Sequence, residues 1–433
     1  MKEKITAFLF LICVAVLTAG TVLNHDENWR EEFWREYRQI IPTGAAVTSD
    51  LPKLIAAADA HVNDVIFPKE NLIDFYGLTQ KMLGKRVMQD AGYGAMYKTL
   101  DGQLAFSISK TDVKGMAERT IVLAERLRLA GIDLLYVQAP YKISLTPGYI
   151  SLLTHDYSNE NADEFMDYIS ADGVSIFDLR QVILKDGVSQ KEVFFDTDHH
   201  WSIQGGFFAA WKIAEKLNES YGFNIEPWVM YVDNYDYLRY KNFFLGTMGR
   251  RTGSLYSGVD DFVLITPKYE TDITYYQRNG AHEIVRQGSF AEAVLNRKAL
   301  QIHAPVTTNR YAAYPGDHEE LALINNNRQD GKILIIKDSF GLPVYSFLSL
   351  GVHEVRALDM RLYSGDVVEY AKKYKPDIVI ILYNADGFRD AMFSFEARPN
   401  SYDTDTSPFV YRNGAFVYDN SRGENESAAG DTG

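Results

Sequence analysis

The spacing of apolar positions changes several times along the chain, and each change marks an element. Ile203 to Leu217 repeat at i, i+3 and i+4, the rhythm of an amphipathic helix, with Ser202 as its N-cap. Lys114 to Ala130 read as a second helix, closed by Gly131. Ile132 to Gln138 form a continuous apolar run that stops before Pro140, as expected of a buried strand. A helix over Asn161–Ser170 and a strand over Val174–Leu179 follow. From Lys332 onward, strands at 333–337, 353–358 and 377–383 alternate with helices at 340–350 and 365–374. Alternation of this kind predicts an α/β domain, a parallel sheet with helices on both faces.

Outside those segments the pattern differs. Residues 226–330 hold ten tyrosines, many turn residues and short alternating runs such as Asp261–Thr266, which predicts a β-rich insertion. Leu51 to Ile66 and Leu72 to Leu83 keep a helical rhythm on either side of Pro68, and Asp101–Gly102 is a turn. The expected organisation is an N-terminal segment 1–24, a helical region 25–112, an α/β domain over 113–225 and 331–400, the insertion 226–330, and a disordered tail 413–433 rich in Gly, Ser, Asn and acid.

Two features set the compartment. Lys2 and Lys4 precede 19 uncharged residues, Ile5 to Leu23, and Asp26, Glu27, Glu31 and Glu32 follow. As a helix that run spans about 28 Å, near the thickness of a bilayer core. Basic residues on its N-terminal side predict a single-pass anchor with the bulk of the chain outside the cytoplasm. A cleaved signal peptide is the alternative; Ala19 and Gly20 are small, but no clean A-x-A site is present. The formal charge of -14 argues against nucleic-acid binding, and the single cysteine, Cys13, excludes an internal disulfide.

The chemistry concentrates in Phe195–Ser202, where acid and imidazole crowd into a few residues ahead of the helix cap. In extended chain, residues two apart share a face, so Asp198 and His200 are expected to point together and His199 away. A second stretch, Ile333–Gly341, reads as a buried strand turning sharply at Ser339 into a helix. Serine needs a base to take its proton and an acid to orient that base, so Ser339, His200 and Asp198 are the candidate catalytic set. Polar residues cluster at the other strand ends: Lys142 after the first strand, Arg361 after a third, Tyr383 and Asn384 after the last. In α/β sheets ligands bind beyond those carboxyl ends, which makes the four candidates for oxyanion or substrate contacts. Asp338 is expected to brace the serine turn, and His199 and Trp201 to support the loop. Asp198, His199 and His200 offer a metal two or three ligands. No cysteine lies nearby and no H-x-x-x-H or H-E-x-x-H spacing occurs, so no metal is expected. Neither a P-loop nor a G-x-G-x-x-G loop follows a strand, and no cofactor is expected.

Thr197-Asp-His-His-Trp201, Ala139-Pro-Tyr-Lys142, Phe244-Leu-Gly-Thr247, Lys337-Asp-Ser-Phe-Gly341, Leu358-Asp-Met-Arg361 and Pro376-Asp-Ile-Val379 together resemble the DHHW proteins. These are SGNH-hydrolase-like relatives of the alginate O-acetyltransferase group, with a flavodoxin-like sheet. The resemblance covers about residues 60–390. It implies catalytic roles for Asp198, His200 and Ser339, with the acid and base preceding the serine. It implies O-acetylation of an extracytoplasmic polysaccharide, fed by a membrane-bound O-acyltransferase partner. Ordinary SGNH hydrolases space acid and base by three, and Asp196 with His199 also fits that spacing. Two other functions share the same features: a carbohydrate esterase using the same triad, and a non-catalytic, membrane-tethered glycan-binding protein.

Overall fold

The computed structural model of the protein describes residues 69–90, 94–143 and 155–398, with the backbone of 409–412 and 415–418. The chain divides into two compact units, residues 1–83 and 84–433. In the first, the described element is a helix over Lys69–Met82, matching the segment expected after Pro68. The apolar run 5–23 and the candidate helix 51–66 lie outside the described residues. Among the described residues no helix is long and apolar enough to cross a membrane.

The second unit opens with a three-stranded antiparallel sheet: β1 (Val87–Asp90), β2 (Gly94–Lys98) and β3 (Leu104–Phe106). This corrects the expectation of a helical region through 112. The Asp101–Gly102 turn joins β2 to β3, with the Thr99 N–H on the Gln103 carbonyl and Gly102 at φ 96°. Strands of three to five residues are too short for alternation to register in the sequence.

The main sheet takes strands from the rest of the chain. They are β4 (Asp133–Gln138), β5 (Ser175–Asp178), β8 (Ile273–Asn279), β9 (His282–Gly288), β10 (Glu320–Asn325), β11 (Lys332–Lys337), β12 (Glu354–Leu358) and β13 (Ile378–Tyr383), in the order β5-β4-β13-β11-β12-β10-β8-β9. The first five in that order are parallel; β10, β8 and β9 add antiparallel. The sheet is therefore mixed, not wholly parallel as expected. Part of the β-rich stretch extends its edge, while β6 (Tyr235–Phe244) pairs separately with β7 (Asp260–Pro267). In the stretch expected to be a disordered tail, Ala415–Tyr418 (β15) pairs with Phe409–Arg412 (β14) as an antiparallel hairpin.

The central strands are buried on both faces, which is why they read as unbroken apolar runs. Ile333 and Ile335 of β11 enter one core with the helices Ile203–Tyr221 and Gly341–Leu348. Leu334 and Ile336 enter the other with Lys114–Leu129, Ser158–Ala171 and Val367–Tyr374. The Gly341–Leu348 helix packs so closely on Ile203–Tyr221 that a Cβ at Gly206 would lie 2.2 Å from Pro343. That contact seats the helix behind Ser202 directly against the helix behind Ser339.

Candidate active site

Ser339 sits where β11 ends and the Gly341–Leu348 helix begins. Asp338 shapes the turn: its Oδ1 accepts the Phe340 N–H at 2.8 Å, and its Oδ2 accepts the Asn384 N–H at 2.8 Å and the Asn384 Nδ2 at 2.7 Å. The neighbouring ends of β11 and β13 are thereby tied together. Burial pushes the Asp338 carboxyl up to about 6, against the pull of those N–H groups. Among the described residues the Ser339 N–H has no acceptor, whereas those of Asp338, Phe340 and Gly341 all do.

Asp198 and His200 lie in a loop closed by the Phe194–Trp201 bridge. The loop bends instead of running extended, and this corrects the alternation argument. Asp198 Oδ1 accepts both the His200 backbone N–H at 3.1 Å and His200 Nδ1 at 2.6 Å, so the pair meets through a tight turn. His199 does not face away: its ring centroid is 3.8 Å from that of His200, and its Nδ1 is 3.6 Å from Asp198 Oδ1. Burial, with His200 alongside, pulls the His199 imidazole down to about 4.

His200 Nε2 is 2.6 Å from Ser339 Oγ, across 139 residues of sequence. Burial alone would raise the Asp198 carboxyl. The imidazoles of His199 and His200 and the Thr247 N–H at 2.7 Å outweigh it and hold the group well below the usual carboxylate range. An ionised Asp198 only accepts, so Nδ1 of His200 carries the proton and Nε2 is left to accept from the serine hydroxyl.

The remaining candidates take other places. Lys142 is not at the substrate side. It is 1% exposed beneath the loop, with Nζ donating to Leu104 O, Phe195 O and Asp198 O at 2.8, 2.6 and 2.6 Å. Tyr383 turns its hydroxyl away to Met392 O at 2.7 Å. Arg361 is held between Asp359 and Asp317, and Lys337 joins the same buried network. Asn384 braces Asp338. Trp201 donates to Tyr311 Oη and Phe340 O, both at 3.0 Å. Asp198, His199 and His200 each place a ligand atom within 4.8 Å of the others, the arrangement a metal would need. A cation there competes with the Asp198 and Ser339 hydrogen bonds for the same atoms of His200 and Asp198.

Tyr311 was not singled out in the sequence. Its ring stacks on His200 at 4.1 Å and 15°, and its hydroxyl donates to Ser339 O at 3.0 Å. Asp260 was missed too; it accepts the N–H groups of Asp196 and Thr197 and the Thr197 hydroxyl. Both lie in the tyrosine-rich stretch, where neither carries a local motif.

Residues 105–231 match the family model described as the SGNH hydrolase-like domain of the acetyltransferase AlgX. No curated protein matches the chain. Among solved structures, Bacillus cereus PatB1 with a sulfonyl adduct is 20% identical, with a TM-score of 0.59 over 72% of this chain and 99% of that one. A DHHW family protein from Eubacterium siraeum is 15% identical, with a TM-score of 0.54 over 73% of this chain and 99% of that one. The family-model match over residues 105–231 and these shared folds bear out the resemblance in fold: the chain is SGNH-hydrolase-like, and Asp198-His-His-Trp201 lies within the matched stretch.

Proposed function

We propose that the protein is a serine-dependent O-acetyltransferase acting on a cell-envelope or secreted polysaccharide. The observation that carries this reading is the unbroken chain Asp198–His200–Ser339, with both links at 2.6 Å. In the first half-reaction Ser339 Oγ attacks the donor's acyl carbonyl as its proton passes to His200 Nε2. His200 returns that proton to the departing donor group, leaving an acyl ester on Ser339. In the second half-reaction a sugar hydroxyl gives its proton to His200 and attacks the ester; His200 then reprotonates Ser339. Asp198 fixes the tautomer and steadies the imidazolium in both halves. The Ser339 N–H, which has no acceptor among the described residues and stands at the head of a helix, is the first oxyanion donor, a contribution typically worth about 3 kcal/mol.

The match of residues 105–231 to an acetyltransferase-family domain supports transfer as the chemistry. The uncharged run Ile5–Leu23 behind Lys2 and Lys4 supports an extracytoplasmic enzyme tethered to the membrane. No nucleotide-activated acyl pool exists there, so the acyl group comes through a membrane-bound O-acyltransferase. The test is incubation of the purified chain with an activated acetyl ester and oligosaccharide acceptors, read by mass spectrometry. Acetylated sugar supports transfer. Free acetate alone, unaffected by acceptor, makes the enzyme an esterase, and no turnover at all points to a glycan-binding role.

A further inference from the structure

Four residues, Phe195 to Asp198, carry the acid of the triad, and almost every backbone polar group among them is tied down. The Phe195 and Asp198 carbonyls both accept from Lys142 Nζ at 2.6 Å. The Asp196 and Thr197 N–H groups donate to the two oxygens of Asp260, at 2.6 and 2.8 Å. The Asp196 carbonyl accepts from Leu104 N and the Thr197 carbonyl from Gly249 N, both at 2.8 Å. The Thr197 hydroxyl donates to Asp260 at 2.5 Å and accepts the Gly246 N–H at 2.7 Å, which brings the Thr247 N–H onto Asp198 Oδ2.

A cation therefore holds the carbonyl side of the segment and an anion holds its amide side. Lys142 is 1% exposed and Asp260 9%, and they form no direct ion pair with each other among the described residues. Buried charges without a direct partner are costly, and apolar replacements would be cheaper for stability alone. Burial pulls the Lys142 ammonium down to about 8 and pushes the Asp260 carboxyl up to about 6, which records that cost. Cost accepted beside a reaction centre is characteristic of preorganisation. A segment fixed at six backbone points keeps Asp198 Oδ1 on His200 before any substrate arrives.

Resting on the function proposed above, we propose that Lys142 and Asp260 are positioning residues for the reaction. They hold the acid loop from opposite sides and set the rate at which Ser339 is acylated, without touching substrate. Lys142 thus has a role other than the oxyanion or substrate contact expected from its place after β4.

The experiment compares the full chain with Lys142→Met, Asp260→Asn and Thr197→Val. Two readouts are used: turnover of p-nitrophenyl acetate, and the downfield proton NMR signal of the His200 Nδ1–H bonded to Asp198. A misplacement of about 1 Å costs up to about 100-fold in rate, so each variant is expected to lose about 10- to 100-fold in kcat with KM within about two-fold. The NMR signal should broaden or move upfield in the substrate-free variants. Folded variants with wild-type kcat and an unmoved signal would overturn the proposal. Thr197→Val is nearly isosteric and keeps the comparison decisive where Lys142→Met does not fold. The signal needs no turnover, so the two readings separate. A wild-type chain that never acylates Ser339 defeats the transferase reading, whereas variants whose signal stays put defeat this one.

Discussion

The rings of His200 and Tyr311 lie nearly parallel, 4.1 Å apart at 15°, and the same tyrosine donates its hydroxyl to the backbone carbonyl of Ser339 at 3.0 Å. One side chain thus sets the plane of the His200 imidazole and braces the turn that carries Ser339. Tyr311→Phe keeps the stack and loses the hydrogen bond, at a cost of about 1 kcal/mol in stability. Tyr311→Leu loses the flat surface as well and should reduce kcat by about 10-fold or more, beyond the effect of Tyr311→Phe. Steady-state kinetics beside thermal melts checks the order; equal kcat in the two variants would contradict it.

Gly246 is needed for space and not for backbone freedom, since its φ is −68°. A Cβ there would lie 2.3 Å from Asp198 Cβ and 2.6 Å from Oδ2. Gly246→Ala should therefore push the acid off His200, destabilise the fold by about 1–3 kcal/mol and cut turnover sharply. Gly316→Ala is the control, because nothing lies within 4 Å of its Cβ. Denaturant melts and kinetics on both variants test the contrast, and similar losses in the two would refute it.

His199 gives a pH dependence with a definite sign. Its imidazole is held at about 4, against an ordinary 6.5, by burial and by His200. Between those values the unfolded chain binds the extra proton and the folded chain does not. The contribution is thus complete above pH 6.5 and is lost as pH falls toward 4. A shift of that size corresponds to a change on the order of 3 kcal/mol across the window. Unfolding free energies of wild type and His199→Asn from pH 7 to pH 4 should converge or cross as the wild type loses this term. A constant difference across the range would show that His199 titrates normally.

Much of this was legible in the chain, for identifiable reasons. The central strands carry unbroken apolar runs because both faces are covered, so β4, β11, β12 and β13 fell within a residue or so of the expected bounds. Ser202 announced its helix, and it does cap it, accepting the Gly205 N–H at 3.0 Å. The turn at Ser339 was readable from the strand-to-helix pattern, and the structure places it there, between β11 and the Gly341–Leu348 helix. The short strands β1–β3 were not visible, since three to five residues hold too few alternations to declare a period. The direction of His199 was misread because Phe195–His200 bends, and the bend comes from Lys142 and Asp260, which are remote in sequence. Tyr311 and Asp260 sit among many similar residues, and their role exists only once the fold brings them under the loop. The sheet's antiparallel edge likewise depends on pairing partners that no local pattern specifies.

Ser339 as the nucleophile, with His200 and not His199 as its base, is open to a direct chemical test. Intact-mass and peptide-mass measurement after treatment with a sulfonyl fluoride, and separately with p-nitrophenyl acetate, tests it most directly. One adduct per chain is expected, mapped to Ser339 and absent in Ser339→Ala. Labelling should slow by about 10²- to 10⁴-fold in His200→Ala and stay within about 10-fold of wild type in folded His199→Ala. An adduct on another residue would contradict it. So would full labelling in His200→Ala with loss in His199→Ala, which would transfer the role of acid and base to Asp196 and His199.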